Sequence, residues 1–149
     1  MKYSASTASN EKKTRNSYGN ISPQFCEDIA SKVILKLVIE KKYRDPNSSA
    51  QQLASELATS VRNLSAIIGL RFQLNYAKLV GWLRISEAKY LLQNAHFATM
   101  TMEDIAVKVG FTTRQNFYAT FYKQSGMTPK QYRALYASAT NPTEKKNKK

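Results

Sequence analysis

An all-α fold of about seven helices is predicted by three features of this chain. No stretch alternates apolar and polar residues over a strand's length. Apolar side chains recur instead every three or four residues from Ile29 to Tyr136. Gly and Pro are sparse, five and four in 149 residues, and between the polar ends most of them fall where helices start or stop.

The elements follow in order. Ser22 is a good N-cap with Pro23 at the first helical position, and Ile29, Val33, Ile34, Leu37 and Val38 form a helical stripe. This helix is expected to end near Tyr43, because Asp45 precedes Pro46. A short helix over about Ala50 to Leu57 turns Leu53, Ala54 and Leu57 inward. A third starts at Ser60 and buries Leu64, Ile67, Ile68 and Phe72. A long fourth helix spans about Tyr76 to Asn94, with Trp82 expected to be partly buried beside Leu79 and Leu83. Thr101 to Asp104 has the form of a capping box before Ile105, Ala106 and Val109. Gly110 ends that helix, where a left-handed backbone is needed and only Gly is free of the Cβ penalty. The last two helices run from about Thr113 to Gln124, closed by Gly126, and from Thr128-Pro129 onward.

Two stretches share one layout. Leu53-Ala54, Leu57-Ala58, Ser60, Leu64 and Ile68 match Ile105-Ala106, Val109-Gly110, Thr112, Phe117 and Phe121. Each is a short helix, a tight turn and a second helix, with a small residue letting the helices cross closely. That is a helix-turn-helix. The chain thus divides into a disordered polar arm (1–20), a first helix-turn-helix subdomain (21–74), a linking helix (75–94), a second subdomain (95–139) and a disordered basic tail (140–149).

Charge points the same way. The net charge is +13, and it is unevenly spread: residues 21–58 balance five against five, whereas residues 59–140 carry ten basic and three acidic side chains. A basic surface concentrates polyanions by attraction and counterion release. A linking helix of about 19 residues is roughly 28 Å long, near the roughly 34 Å of one duplex turn. It can set two second helices into successive major grooves of double-stranded DNA.

In a helix-turn-helix the first turns of the second helix face the base edges. Those positions are Arg62, Asn63, Ser65 and Ala66, with Gly69 further along, and Arg114, Gln115, Asn116 and Ala119. Arg62 suits guanine O6/N7. Asn63, Gln115 and Asn116 have the donor-plus-acceptor chemistry of adenine. Arg114 either reads a guanine or holds a phosphate. Phosphate contacts are expected from Thr59, Arg71, Thr112, Thr113, Tyr122 and Lys123.

The order Ile105-Ala106, Val109-Gly110-Phe111, Phe117, Phe121, Gly126, Thr128-Pro129, Tyr132, Arg133 resembles the AraC/XylS-type transcription regulators. Leu53-Ala54, Ser60, Leu64, Phe72, Arg84, Glu87-Ala88 and Leu91-Leu92 fit the same pattern, so the resemblance covers about residues 24–138. It implies sequence-specific DNA binding and transcription regulation, activation more than repression. The length of the linking helix adds the expectation of a monomer on DNA, with RNA polymerase as a further partner. The chain departs from the family at Ala58 and Gln73, where Gly is usual, and at Ala66 and Ala119, where Arg or Lys is frequent. A DNA-binding fragment of a longer regulator, without its sensing or dimerisation domain, is the alternative.

Other classes lack their residues. Cys26 is the only cysteine and His96 the only histidine, so neither a metal set nor a Cys/His or Ser/His/Asp set can be assembled. There is no Gly-rich phosphate loop, and no enzymatic activity, metal or cofactor is expected. The absence of strands weighs against an RNA-reading sheet. A helical adaptor for another protein is the remaining rival; it predicts that Arg62 and Gln115 are dispensable. Without an apolar run long enough to span a bilayer or act as a signal peptide, no membrane partner and a cytoplasmic, nucleoid-associated location are expected.

Overall fold

The computed structural model describes residues 21–140; the arm expected over 1–20 and the tail from 141 lie outside the described residues. Within them are seven α-helices and no strand: α1 (Pro23–Ile34), α2 (Ala50–Glu56), α3 (Val61–Phe72), α4 (Tyr76–Gln93), α5 (Met102–Val109), α6 (Arg114–Ser125) and α7 (Pro129–Thr140). Contacts group them into two units. Within the described residues, one holds residues 21–40 together with Ser49–Tyr76; the other holds Lys41–Ser48 and residues 77–140. The short segment Lys41–Ser48, assigned by sequence to the first subdomain, packs with the second unit, and so does the linking helix from Ala77 onward.

In the first unit α1 and α2 both pack on α3. Ser22 caps α1 by accepting the Phe25 amide at 3.1 Å. The buried side chains are Ile29, Ala30 and Val33 of α1, Leu37, Leu53, Ala54 and Leu57, and the inner face of α3, where Leu64, Ile67 and Ile68 are wholly enclosed. The first helix stops earlier than its pattern predicts. It widens into a π-helical turn over Leu35–Ile39, and Lys41 then adopts a left-handed conformation (φ 54°). The reason is tertiary. Tyr43 and Arg44 lie in a separate 3₁₀ turn, and both bond to Glu87, more than 40 residues away.

The second unit has a continuous apolar core in which Ile85, Ala88, Leu91 and Leu92 of α4 meet Ile105, Ala106 and Val109 of α5, Phe117 and Phe121 of α6, and Tyr132 of α7. Phe117, Phe121 and Tyr132 stack edge to face along this core, at 5.8 Å and 5.3 Å between centroids. Thr101 and Asp104 complete the expected capping box at the start of α5. Gly110 has φ 108°, and a Cβ there would lie 2.4 Å from the Tyr43 carbonyl oxygen. Segment Lys41–Ser48 therefore presses directly on the turn between α5 and α6. Glu87 holds that segment: it accepts from the Tyr43 hydroxyl at 2.9 Å and from Arg44 through both carboxylate oxygens, and Lys41 stands 3.8 Å away. Arg84 adds donations to the Tyr43 carbonyl (2.7 Å) and the Asp45 carbonyl (3.1 Å). Trp82, expected to be partly buried, is 55% exposed.

Candidate nucleic-acid interface

Each unit presents one helix built to the same plan. Ser60 caps α3 by accepting the Asn63 amide at 3.1 Å, and Thr113 caps α6 by accepting the Asn116 amide at 3.1 Å. The two caps fix a register. Arg62 and Gln115 occupy the second helical position, Asn63 and Asn116 the third, Leu64 and Phe117 the fourth, and Ala66 and Ala119 stand three beyond the asparagines. Behind each stripe the fourth and eighth positions are fully buried, Leu64 and Ile68 in α3, Phe117 and Phe121 in α6. The opposite stripe is therefore left facing solvent. Arg62 and Ser65 are exposed with Asn63 and Ala66 half-buried; Arg114, Gln115, Asn116 and Ala119 are all exposed.

The turns before the two helices differ by one residue. Matching Ser60 to Thr112, as sequence spacing does, misses this: the capping residue is Thr113. Both turns start with a left-handed residue, Ala58 (φ 52°) and Gly110 (φ 108°). In both, the next amide reaches back to the small residue of the first helix, Thr59 to the Ala54 carbonyl at 3.0 Å and Phe111 to the Ala106 carbonyl at 2.9 Å. Thr59 thus stands where the second unit has a buried phenylalanine. Its hydroxyl is buried and has no hydrogen-bond partner among the described residues.

The expected phosphate holders separate on this geometry. Thr112, Tyr122 and Lys123 are exposed around α6, and Thr113 keeps its hydroxyl proton while its oxygen caps the helix. Thr59 points inward. Arg71 is engaged by Glu27 on α1, at 3.0 Å and 3.2 Å through two nitrogens. Arg62 has no ion pair among the described residues, whereas Arg114 is held by the Glu103 carboxylate at 2.8 Å, with its guanidinium carbon 4.9 Å from the centre of the Tyr118 ring. The Tyr118 hydroxyl, accepting from Arg114, and then the Glu103 carboxylate raise the guanidinium pKa above its ordinary value. Spacing within the sequence offered no sign of the Glu103 pairing, since the partners sit on different helices.

Few charges oppose a polyanion. Of the three carboxylates in residues 59–140, Glu87 is turned inward to Arg44, Tyr43 and Lys41, Glu103 is paired, and Asp104 closes the capping box. No group of side chains suited to a metal ion occurs among the described residues, and none of their helices is long and apolar enough to cross a membrane.

A family model described as a helix-turn-helix domain matches residues 53–135, from α2 through most of α7. A transcriptional regulator from Chromobacterium violaceum, described as containing an AraC-type DNA-binding domain, shares the fold at 22% identity and a TM-score of 0.59, covering 72% of this chain and 96% of that one. This chain belongs to the AraC/XylS-type helix-turn-helix family. That family comprises DNA-binding regulators rather than enzymes. The C-terminal domain of the two-component response regulator yesN from Fusobacterium nucleatum shares 29% identity at a TM-score of 0.61, covering 70% of this chain and 98% of that one. The C-terminal domain of AraT, a response regulator from Geobacillus stearothermophilus, shares 25% at a TM-score of 0.65, covering 78% and 88%. Among curated relatives, the HTH-type transcriptional regulator YpdC of Escherichia coli K12 is 24% identical over 98 residues, 66% of this chain. The melibiose operon regulatory protein of the same strain is 36% identical over 63 residues, 42% of this chain. The chain spans about a third of the first relative and a fifth of the second.

Proposed function

We propose that this member of the family reads double-stranded DNA sequence-specifically through α3 and α6, one block of bases per unit, and regulates transcription from that site. The observation that carries the reading is the shared register: two capped helices, each with an apolar back wholly buried and a polar front exposed at the same helical positions. Arg62 offers guanine a bidentate donor pair, and Asn63, Gln115 and Asn116 offer adenine a donor and an acceptor. Ser65, Ala66 and Ala119 give short contacts, the alanines to a thymine methyl. Monomeric binding follows from having two reading helices in one chain. Activation is the role carried over from the resemblance; contact with RNA polymerase and a cytoplasmic location go with it.

Selection from random duplexes at near-physiological salt is the test. Two enriched blocks centred roughly 10 base pairs apart are expected. Arg62→Ala should relax one block and Gln115→Ala the other. Binding that merely falls with salt, with no enriched sequence, would refute sequence-specific reading. A second reading, that the chain is the DNA-binding part of a longer regulator, is favoured by its short span of its relatives and by neighbours that are C-terminal domains of response regulators. Transcription from a promoter bearing the selected site, with purified chain and polymerase, separates an autonomous activator from a part that binds without activating.

A further inference from the structure

Arg114 stands at the first position of α6 but is drawn away from the front of that helix. Glu103, the second residue of α5, holds it at 2.8 Å, and the Tyr118 hydroxyl accepts from it at 3.3 Å. In a helix-turn-helix the first helix crosses the nucleic-acid backbone while the second enters the groove. A guanidinium tied to the first turn of α5 therefore lies on the backbone side. It is not alone there. An open groove of about 590 Å³ is lined by Thr101, Glu103, Arg114, Lys130, Arg133 and Ala134, among others. Three cations thus face one carboxylate. Neither Lys130 nor Arg133 has an ion pair among the described residues. Arg133 donates one terminal nitrogen to the Met100 carbonyl at 2.7 Å, and its Nε is buried without a partner.

We infer that this groove is a phosphate cradle for the DNA backbone flanking the block read by α6, with Arg114 and Lys130 as its phosphate donors. Arg114 is then a phosphate clamp and not a base reader. Glu103 is its positioning residue. A guanidinium has five N–H donors, so pairing with Glu103 and Tyr118 leaves others for a phosphate oxygen. The pair is half exposed, and solvent screening keeps it weak enough to share its cation. Lys130, on the first turn of α7, supplies a point charge from the other wall. The inference rests on the duplex-reading function proposed above and adds to it residues that the base-reading stripe does not contain.

The test uses the full chain and the duplex selected for it, followed by anisotropy from 50 to 200 mM salt. Over that range each phosphate contact weakens binding by about 3.5-fold. Lys130→Gln and Arg114→Ala should each remove about one contact from the salt dependence, weaken selected and scrambled duplexes alike, and leave the enriched sequence unchanged. A duplex with a neutral methylphosphonate at the cradled position should bind wild type as weakly as normal DNA binds Lys130→Gln, and should not weaken that variant further. Arg133 is left intact because it also secures the Met100 carbonyl. An unchanged salt dependence in Lys130→Gln overturns the cradle. Relaxed preference at one base pair in Arg114→Ala overturns its role as a clamp. Inorganic phosphate distinguishes a free anion. If it raises the melting temperature of wild type but not of Lys130→Gln, while DNA binding of the two is equal, the groove serves a small phosphate and the DNA assignment falls. Failure of the duplex-reading function would show in wild type alone, as selection without enrichment, and would take this inference with it.

Discussion

Among the described residues, three non-glycine residues have positive φ, and two of them bound α3: Ala58 in the turn before it and Gln73 at its end. A left-handed backbone costs an L-residue roughly 1–2 kcal/mol, while glycine returns roughly 0.5–1 kcal/mol of that through the freer unfolded chain. Ala58→Gly and Gln73→Gly should each therefore stabilise the protein by about 0.5–1 kcal/mol in urea unfolding. Ala58 is exposed, so little packing is lost with its methyl. A destabilised Ala58→Gly would mean that the methyl has a partner the strain argument leaves out. Gly110 is the opposite case. Its φ of 108° and the Tyr43 carbonyl 2.4 Å from a would-be Cβ combine, and Arg84 Nε would be 2.9 Å away. Gly110→Ala should cost about 3 kcal/mol or more, by denaturant midpoint, since strain and a backbone clash add. These residues also show what was legible beforehand. The demand for glycine at 110 could be anticipated from turn chemistry, and the strain at 58 and 73 from the resemblance, whose family usually has Gly at both places. The carbonyl that makes Gly110 irreplaceable could not, because it comes from a segment 67 residues earlier.

At the scale of elements, the long helix α4 anchors a strap. Glu87 is nearly buried and gathers Tyr43, Arg44 and Lys41 from the Lys41–Ser48 segment, which in turn braces the α5–α6 turn. Burial alone would raise the Glu87 pKa, but the hydrogen bonds from Arg44 and Tyr43 and the charges of Arg44 and Lys41 outweigh it and hold the carboxyl below its usual value of 4.5. Its folded pKa is depressed, so its contribution is present above pH 4.5 and is lost as pH falls through the lower folded value. Tyr43 marks the alkaline limit. Burial, then the bond to Glu87, push its pKa up to about 12 from 10. The unfolded chain therefore releases that proton first, and stability falls as pH rises from about 10 to 12. Glu87→Gln should cost about 2 kcal/mol at pH 7, between exposed and buried ion pairs, and should flatten the acid limb. Tyr43→Phe should flatten the alkaline limb. Urea unfolding across pH 3–12 measures both, and an unaltered acid limb in Glu87→Gln would place the titration elsewhere. The caps at Ser22, Ser60 and Thr101 and the buried positions Leu64, Ile68, Phe117 and Phe121 were readable in the sequence because they are local, whereas the Thr113 cap was not, because the second turn is one residue longer. The early end of α1 and the strap were not, because partners more than 40 residues apart decide them.

For the whole molecule, the two helices proposed to read DNA stand on separate apolar supports: α3 on residues from α1 and α2, α6 on the core shared by α4, α5 and α7. The positions proposed to read bases come from helix register alone, whereas the pairing of the charged ones needed the fold. Arg62 is unpaired among the described residues, Arg71 is paired with Glu27, and Arg114 is held by Glu103. Free energies at sites without shared partners add. Arg62→Ala should therefore weaken the selected duplex by about 1–3 kcal/mol, the value of one good base contact, and Gln115→Ala by a similar amount. The double variant should lose the sum within about 0.5 kcal/mol. Binding isotherms at fixed salt on one duplex provide the comparison. Additivity would mean that each unit docks whether or not the other reads its block. A double variant no worse than either single one would mean that one unit docks only after the other has found its bases. Such coupling would have to pass through the DNA or through α4, and a duplex carrying only one block, bound by each single variant, distinguishes these routes.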